Sequence, residues 1–233
     1  LQLAYGVKSG NGEIRRINVN AAPLSVESLK VLRNVGIGTY QVFQETYNRT
    51  TYTEMHPSGL KANFRWRLYA LHRSLEAGAD DVGMGALFGL SDWRFELLGL
   101  LAHTIDLETR FGGVGPHTIS FPRIEPAVNT PYIEQAPWRI DDDTFIRIVA
   151  IIRLMVPYTG MILTCREPAA VRRRGEPGGR GSQRRGDPAP LPIRRQRIPD
   201  QPDALSTQGH QQPSHGYRCR SRWLLHHWSG PGR

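Results

Sequence analysis

Cysteine is scarce in this chain of 233 residues. There are two, Cys165 and Cys219, and no C-x-x-C pair. Two cysteines cannot build the disulfide framework of a small secreted domain, and such sparse use points to a reducing, cytoplasmic compartment. Long apolar runs are missing as well. No stretch of about 18 apolar residues occurs and no basic-then-apolar leader opens the chain, so neither a membrane span nor a secretory signal is indicated. Neither G-x-G-x-x-G nor G-x-x-x-x-G-K-S/T follows a strand-like run, which removes the usual support for a nucleotide-binding open sheet. The chain opens on Leu1 instead of Met, inside what reads as the end of an element, so a truncated N-terminus is expected.

The net charge of +9 suggests a nucleic-acid binder until it is located. From Pro168 onward there are 13 arginines, no lysine and 4 acids, which leaves 17 basic and 17 acidic residues in positions 1–167. The first part is neutral, so whole-chain charge is a poor guide to function. The stretch 168–233 is rich in Arg, Pro, Gly and Gln and has no sustained periodicity. It reads as a disordered basic tail or as an out-of-frame translation of GC-rich DNA. The second is favoured because the composition changes abruptly after Cys165-Arg166-Glu167-Pro168, where a helix should follow a strand. Nucleic-acid binding through this tail remains a lesser reading, since aromatic residues enter it only at Tyr217, Trp223 and Trp228.

Positions 14–167 repeat a rhythm of strand, turn and helix. The strand candidates are 14–20, 39–44, 81–87, 117–124 and 159–164. The helix candidates are 26–34, 64–77, 93–110 and 141–155. Ser25 is placed to cap the first helix, Gly36 and Gly78 sit where C-terminal glycines belong, and Asp141-Asp142-Asp143 gives an acidic first turn. Alternation of this kind predicts a parallel sheet. Polar residues gather where the strands end: Asn18 and Asn20, Gln44 and Glu45, Arg123 and Glu125, Arg166 and Glu167. Barrel enzymes place their chemistry at that face. The expectation is an α/β fold: a partial (β/α)8 barrel of about five units over 1–167, because a full barrel takes roughly 250 residues.

Four segments carry a resemblance: GIGTYQVFQETYNRTTYTEMHP (36–57), VGMGALFGLSDWRFELLGLLAH (82–103), GPHTISFPRIEPAVNTP (115–131) and VPYTGMILTCREP (156–168). In this order they resemble the radical S-adenosylmethionine enzymes that cleave tyrosine. That family has two branches, the FeFe-hydrogenase maturation tyrosine lyase and the 2-iminoacetate synthase of thiamine biosynthesis. GPHTISFPRIEPA and PYTGMIL are similar to the hydrogenase branch. The likeness covers about residues 5–168. It implies a barrel that binds S-adenosyl-L-methionine across its C-terminal face, with a 4Fe–4S cluster held by a C-x3-C-x2-C loop. It further implies scission of the Cα–Cβ bond of L-tyrosine to p-cresol and dehydroglycine. Dehydroglycine then yields carbon monoxide and cyanide for other hydrogenase maturation proteins. The three-cysteine loop and the second cluster's cysteines do not occur in this sequence, so the polypeptide as written is expected to hold neither cluster and to be inactive alone.

The resemblance also implies roles for single residues. Glu45, with Gln44 as a weaker companion, matches the acid that holds the ribose hydroxyls; spacing alone would make it a loop-tying acid. Arg67 matches an arginine for the carboxylate of S-adenosylmethionine, against a plain surface arginine such as Arg65. Ile124 would offer a backbone contact to adenine. For tyrosine, Arg166 with Thr164 would hold the carboxylate. The family's S-T-R-E reads T-C-R-E here, and Cys165 reads as a small buried residue. His117 would contact the phenol, against a structural histidine, and Arg123 either lines the substrate site or forms an internal pair with Glu125. No residue set is expected to bind a metal in this chain: His226-His227 has no spaced partners.

Overall fold

In the computed structural model the described residues are 1–125, 130, 132 and 136–175. The N-terminal segment forms a single helical turn, α1 (Gln2–Tyr5), and a small antiparallel hairpin of β1 (Lys8–Ser9) and β2 (Gly12–Glu13). Next come β3 (Val19–Asn20), α2 (Val26–Asn34), β4 (Thr39–Gln41), α3 (Arg49–Met55), α4 (Phe64–Leu68), α5 (Ala70–Glu76) and β5 (Asp81–Gly85). They are followed by α6 (Trp93–Arg110), β6 (Thr118–Ser120), α7 (Asp142–Met155), β7 (Gly160–Ile162) and α8 (Ala169–Gly175).

β3 to β7 form one sheet in chain order, every neighbouring pair parallel. An open doubly wound sheet reverses its order at a switch point. This sheet does not, which is the arrangement of a barrel segment. Alternation separates its two faces. Tyr40, Val42, Val82, Met84, Ala86, Ile119 and Phe121 turn to the helices and build the core with Leu29, Leu71, Leu100, Leu107, Phe145 and Ile148. Gln41, Phe43, Gly83, Gly85 and Thr118 meet on the other face. A Cβ at Gly85 would lie 2.6 Å from the Ser120 carbonyl and 2.9 Å from the Phe43 ring, so only glycine lets these strands line that face closely.

Local chemistry explains the helices. The Ser25 hydroxyl accepts from the Ser28 amide at 3.3 Å and the Asp141 carboxylate from the Thr144 amide at 2.7 Å. Gly36 and Gly78 close their helices at φ 82° and 85°. The helix expected over 64–77 is two helices, broken at Tyr69, whose φ and ψ of −91° and 14° leave the helical well. The strands keep their places but their regular ladders are short.

Residues 169–175, inside the stretch assigned to the tail, form α8. Val171 is buried, and Arg174 pairs with Asp143 of α7 at 2.6 Å. The rest of the expected tail, 176–233, lies outside the described residues, and with it Cys219, His226 and His227.

Candidate functional site

The C-terminal end of β4 carries a bulge. Gln41 pairs with Gly83, yet Glu45 bridges to Ala86, so β4 runs one residue longer than its partner between these points. Bulges of this kind re-aim a side chain beside active sites. Glu45 takes up the difference at φ 73°, the single left-handed non-glycine among the described residues. Its amide oxygen stays in the sheet, accepting from the Leu87 amide at 2.7 Å.

Two cations converge on the Glu45 carboxylate. Arg67 of α4 donates from Nη2 to Oε1 at 3.0 Å, and Lys61 donates to the same oxygen at 2.9 Å. Arg67 also donates from Nε to the Phe43 carbonyl at 2.6 Å, which fixes its guanidinium against the strand end. Oε2 takes part in neither ion pair, and the carboxylate is largely buried. Sequence reasoning missed Lys61; its loop, Ser58-Gly59-Leu60, reads only as a turn. Gln44 is buried, and neither its amide nitrogen nor its oxygen has a partner.

Behind this strand end lies a network the sequence did not signal. Glu96 is fully buried in the first turn of α6. It accepts from the Thr46 hydroxyl and, at 2.8 Å, from the Tyr47 amide. Burial pushes its carboxyl up to about 7, against the pull of these hydrogen bonds. The Tyr47 hydroxyl meets His103 Nδ1 at 3.0 Å. His103 stacks on His72 with ring centres 5.4 Å apart, and His72 Nε2 reaches Asp106 at 2.8 Å. Burial first, then the neighbouring His72, lowers His103 to about 3.

Arg67 apart, the Glu45 side chain bonds to none of the other expected residues. His117 precedes β6, at the opposite end of the sheet, half exposed and 3.8 Å from Asp81 at the start of β5. Arg16 joins them there, donating to Asp81 at 2.5 Å and to Thr39 at 2.9 Å. Arg123 bridges to Phe88 on the helix-facing side and is saturated: Glu167 lies at 2.8 Å, Asp142 at 2.6 Å, Glu125 at 3.5 Å and the Ile140 carbonyl at 3.1 Å. Its guanidinium also lies over the Phe145 ring. Its pairing is closer to Glu167 than to the expected Glu125. Ile124 donates its amide to the Phe88 carbonyl at 2.8 Å and packs over Gly89. Thr164 is half-buried beyond β7, whereas Arg166 is exposed. Cys165 is exposed too, contrary to the small buried residue expected, because it sits in the turn between β7 and α8.

The donor set decides what this part of the chain can hold. A carboxylate with an uncommitted oxygen beside a fixed guanidinium suits a polar, zwitterionic ligand carrying vicinal hydroxyls. An iron–sulfur cluster does not fit: among the described residues Cys165 is the one cysteine, and no three His, Cys, Asp or Glu side chains are grouped to hold a metal. No helix among these residues is long and apolar enough to cross a membrane.

Known proteins resemble this chain in sequence and fold. The family described as the Biotin and Thiamin Synthesis associated domain matches residues 120–177, past the expected boundary at 167. The 2-iminoacetate synthases of Salmonella typhimurium and Escherichia coli are each 33% identical over 152 residues, 65% of this chain and 39% of theirs. Two crystal structures of HydG, a maturase of the FeFe-hydrogenase, are similar in fold and sequence. One has a TM-score of 0.71 and 50% identity over 75% of this chain and 38% of that one. The other, from Carboxydothermus hydrogenoformans, has 0.66 and 52% over 70% and 37%. Methylornithine synthase, at 18% identity and TM-score 0.50, shares the fold alone. The chain thus spans about two fifths of the length of the relatives it matches. Over the stretch they have in common, the chain is similar in sequence and fold to both 2-iminoacetate synthase and the hydrogenase maturase HydG.

Proposed function

We propose that this chain carries part of the S-adenosyl-L-methionine site of a radical tyrosine lyase. The parent enzyme cleaves the Cα–Cβ bond of L-tyrosine to p-cresol and dehydroglycine, whose breakdown to carbon monoxide and cyanide serves assembly of the FeFe-hydrogenase cofactor. The observation that carries the reading is the bulge that turns Glu45 to the sheet end beside Arg67. Glu45 Oε2 accepts from the ribose hydroxyls, and Arg67 answers the ligand's carboxylate while keeping Glu45 in place. S-adenosylmethionine supplies the hydrogen-abstracting adenosyl group; the 4Fe–4S cluster that opens it belongs to parts of the parent enzyme that these residues do not provide. Tyrosine recognition falls to Thr164 and Arg166 at the end of β7. His117, at the far end of its strand, is left out of this assignment.

The higher identity to the maturase, 50% against 33%, favours the hydrogenase branch over 2-iminoacetate synthase for thiamine biosynthesis. The test is an exchange: residues 5–168 replace their counterpart in a full-length HydG. Tyrosine with S-adenosylmethionine should then give p-cresol and 5′-deoxyadenosine, and Glu45→Ala in the exchanged protein should weaken S-adenosylmethionine binding at least about tenfold. A folded exchange protein that loads its clusters but makes no p-cresol overturns the lyase reading. Unchanged affinity overturns the ribose assignment.

A further inference from the structure

Left-handed backbone at a glutamate has to be held by its surroundings. The holding groups lie just downstream. Thr46 gives its hydroxyl to Glu96 and Tyr47 its amide, so both residues following Glu45 are tied to one carboxylate on α6. Thr46 Oγ1 in turn accepts from the Asn48 amide at 3.1 Å. Asn48 caps α3 by accepting from the Thr51 amide and donates to Ser91 at 3.3 Å. α6 can come this close because residue 99 is glycine: a Cβ there would lie 2.4 Å from the Tyr47 ring. A buried acid is costly unless its oxygens are used. Both oxygens of Glu96 are used, and both serve the turn that sets Glu45.

We infer that Glu96 is a positioning residue for the nucleoside site: through Thr46 and Tyr47 it holds the bulge that presents the Glu45 carboxylate to the ribose diol. The inference rests on the ribose reading of Glu45. Glu96 touches no ligand itself. Its substitution should therefore cost affinity only for ligands that Glu45 grips and only while Glu45 is present.

The experiment uses the 233-residue chain and calorimetric binding of two probes, adenosine and 2′,3′-dideoxyadenosine. Glu96→Gln keeps the volume but replaces one acceptor oxygen by an NH2 group, which cannot accept from Thr46 or Tyr47. Adenosine affinity should fall about tenfold while dideoxyadenosine affinity stays, and in a Glu45→Ala background the same substitution should change neither. Equal loss for both probes, loss that persists without Glu45, or no loss overturns the positioning role. If Glu45→Ala itself leaves adenosine binding unchanged, or no adenosine binding is seen, the ribose reading fails instead. The clamp is then read directly from hydrogen exchange of the Tyr47 amide, which should quicken in Glu96→Gln; unchanged protection overturns it. Should Glu96→Gln not fold, Thr46→Val removes one of the two tethers and takes its place in every comparison.

Discussion

Glu45 and Arg123 show how differently two charged strand-end residues are used. Glu45 keeps an oxygen outside its ion pairs, and its expected loss on substitution is one of ligand affinity. Arg123 has no such freedom. Its partner Glu167 is nearly buried, so Arg123→Met strands a carboxylate in the core. Removing one partner of a buried pair costs about 3–5 kcal/mol. Arg123→Met should therefore lower stability by about that much in urea unfolding, whereas a solvent-facing substrate arginine would leave the midpoint in place. Both residues were visible in the sequence as strand-end charges. What separated them was not, because Glu167 and Asp142 lie 44 and 19 positions away and only the fold brings them to Arg123.

At the level of elements, α6 contributes most to the site without touching it. Its N-terminal turn supplies Glu96, its second turn supplies Gly99, and Asp92 caps it by accepting from the Arg94 amide at 2.9 Å. Gly99→Ala should improve helix propensity yet destabilise the protein by about 1–3 kcal/mol, because the methyl group drives into the Tyr47 ring. Thermal unfolding checks this, and a stabilised variant would contradict the packing described. The span of α6 was readable from its periodicity, and that of α2 from its Ser25 cap and Gly36 as well. The break at Tyr69 was not, since apolar spacing runs through it unaltered. α3 also escaped notice: its start rests on one Asn48 side chain, and its sequence, Arg49–Met55, has a single buried residue, Tyr52. α8 was hidden by composition, with only Val171 and Gly175 buried in an arginine-rich stretch.

For the whole molecule, the buried titratable groups set the response to pH. His103 protonates near 6.5 when unfolded and near 3 when folded, so its contribution is whole above about 6.5 and is lost as pH falls through that window. Glu96 works the other way: raised from 4.5 to about 7, it favours the fold at low pH and costs stability as pH rises through 7. A shift of that size corresponds to about 3 kcal/mol. Denaturant midpoints measured between pH 4 and 8 should show a steeper acid loss in Glu96→Gln and a shallower one in His103→Gln. Identical slopes in all three proteins would contradict the burial of both groups. Barrel-type architecture was legible because strand and helix alternate without a phosphate-binding glycine loop; the Glu96 and His103 network was not, since it joins a loop to two helices by contacts that follow no sequence period. The extra residue in β4 has a different sort of consequence, for length instead of composition. Replacing Val42 or Phe43 with another apolar residue leaves the count of positions intact. Deleting either one puts the two strands back in step and rotates the acid half a pleat, toward the helices, so this short segment should tolerate many spellings but only one length.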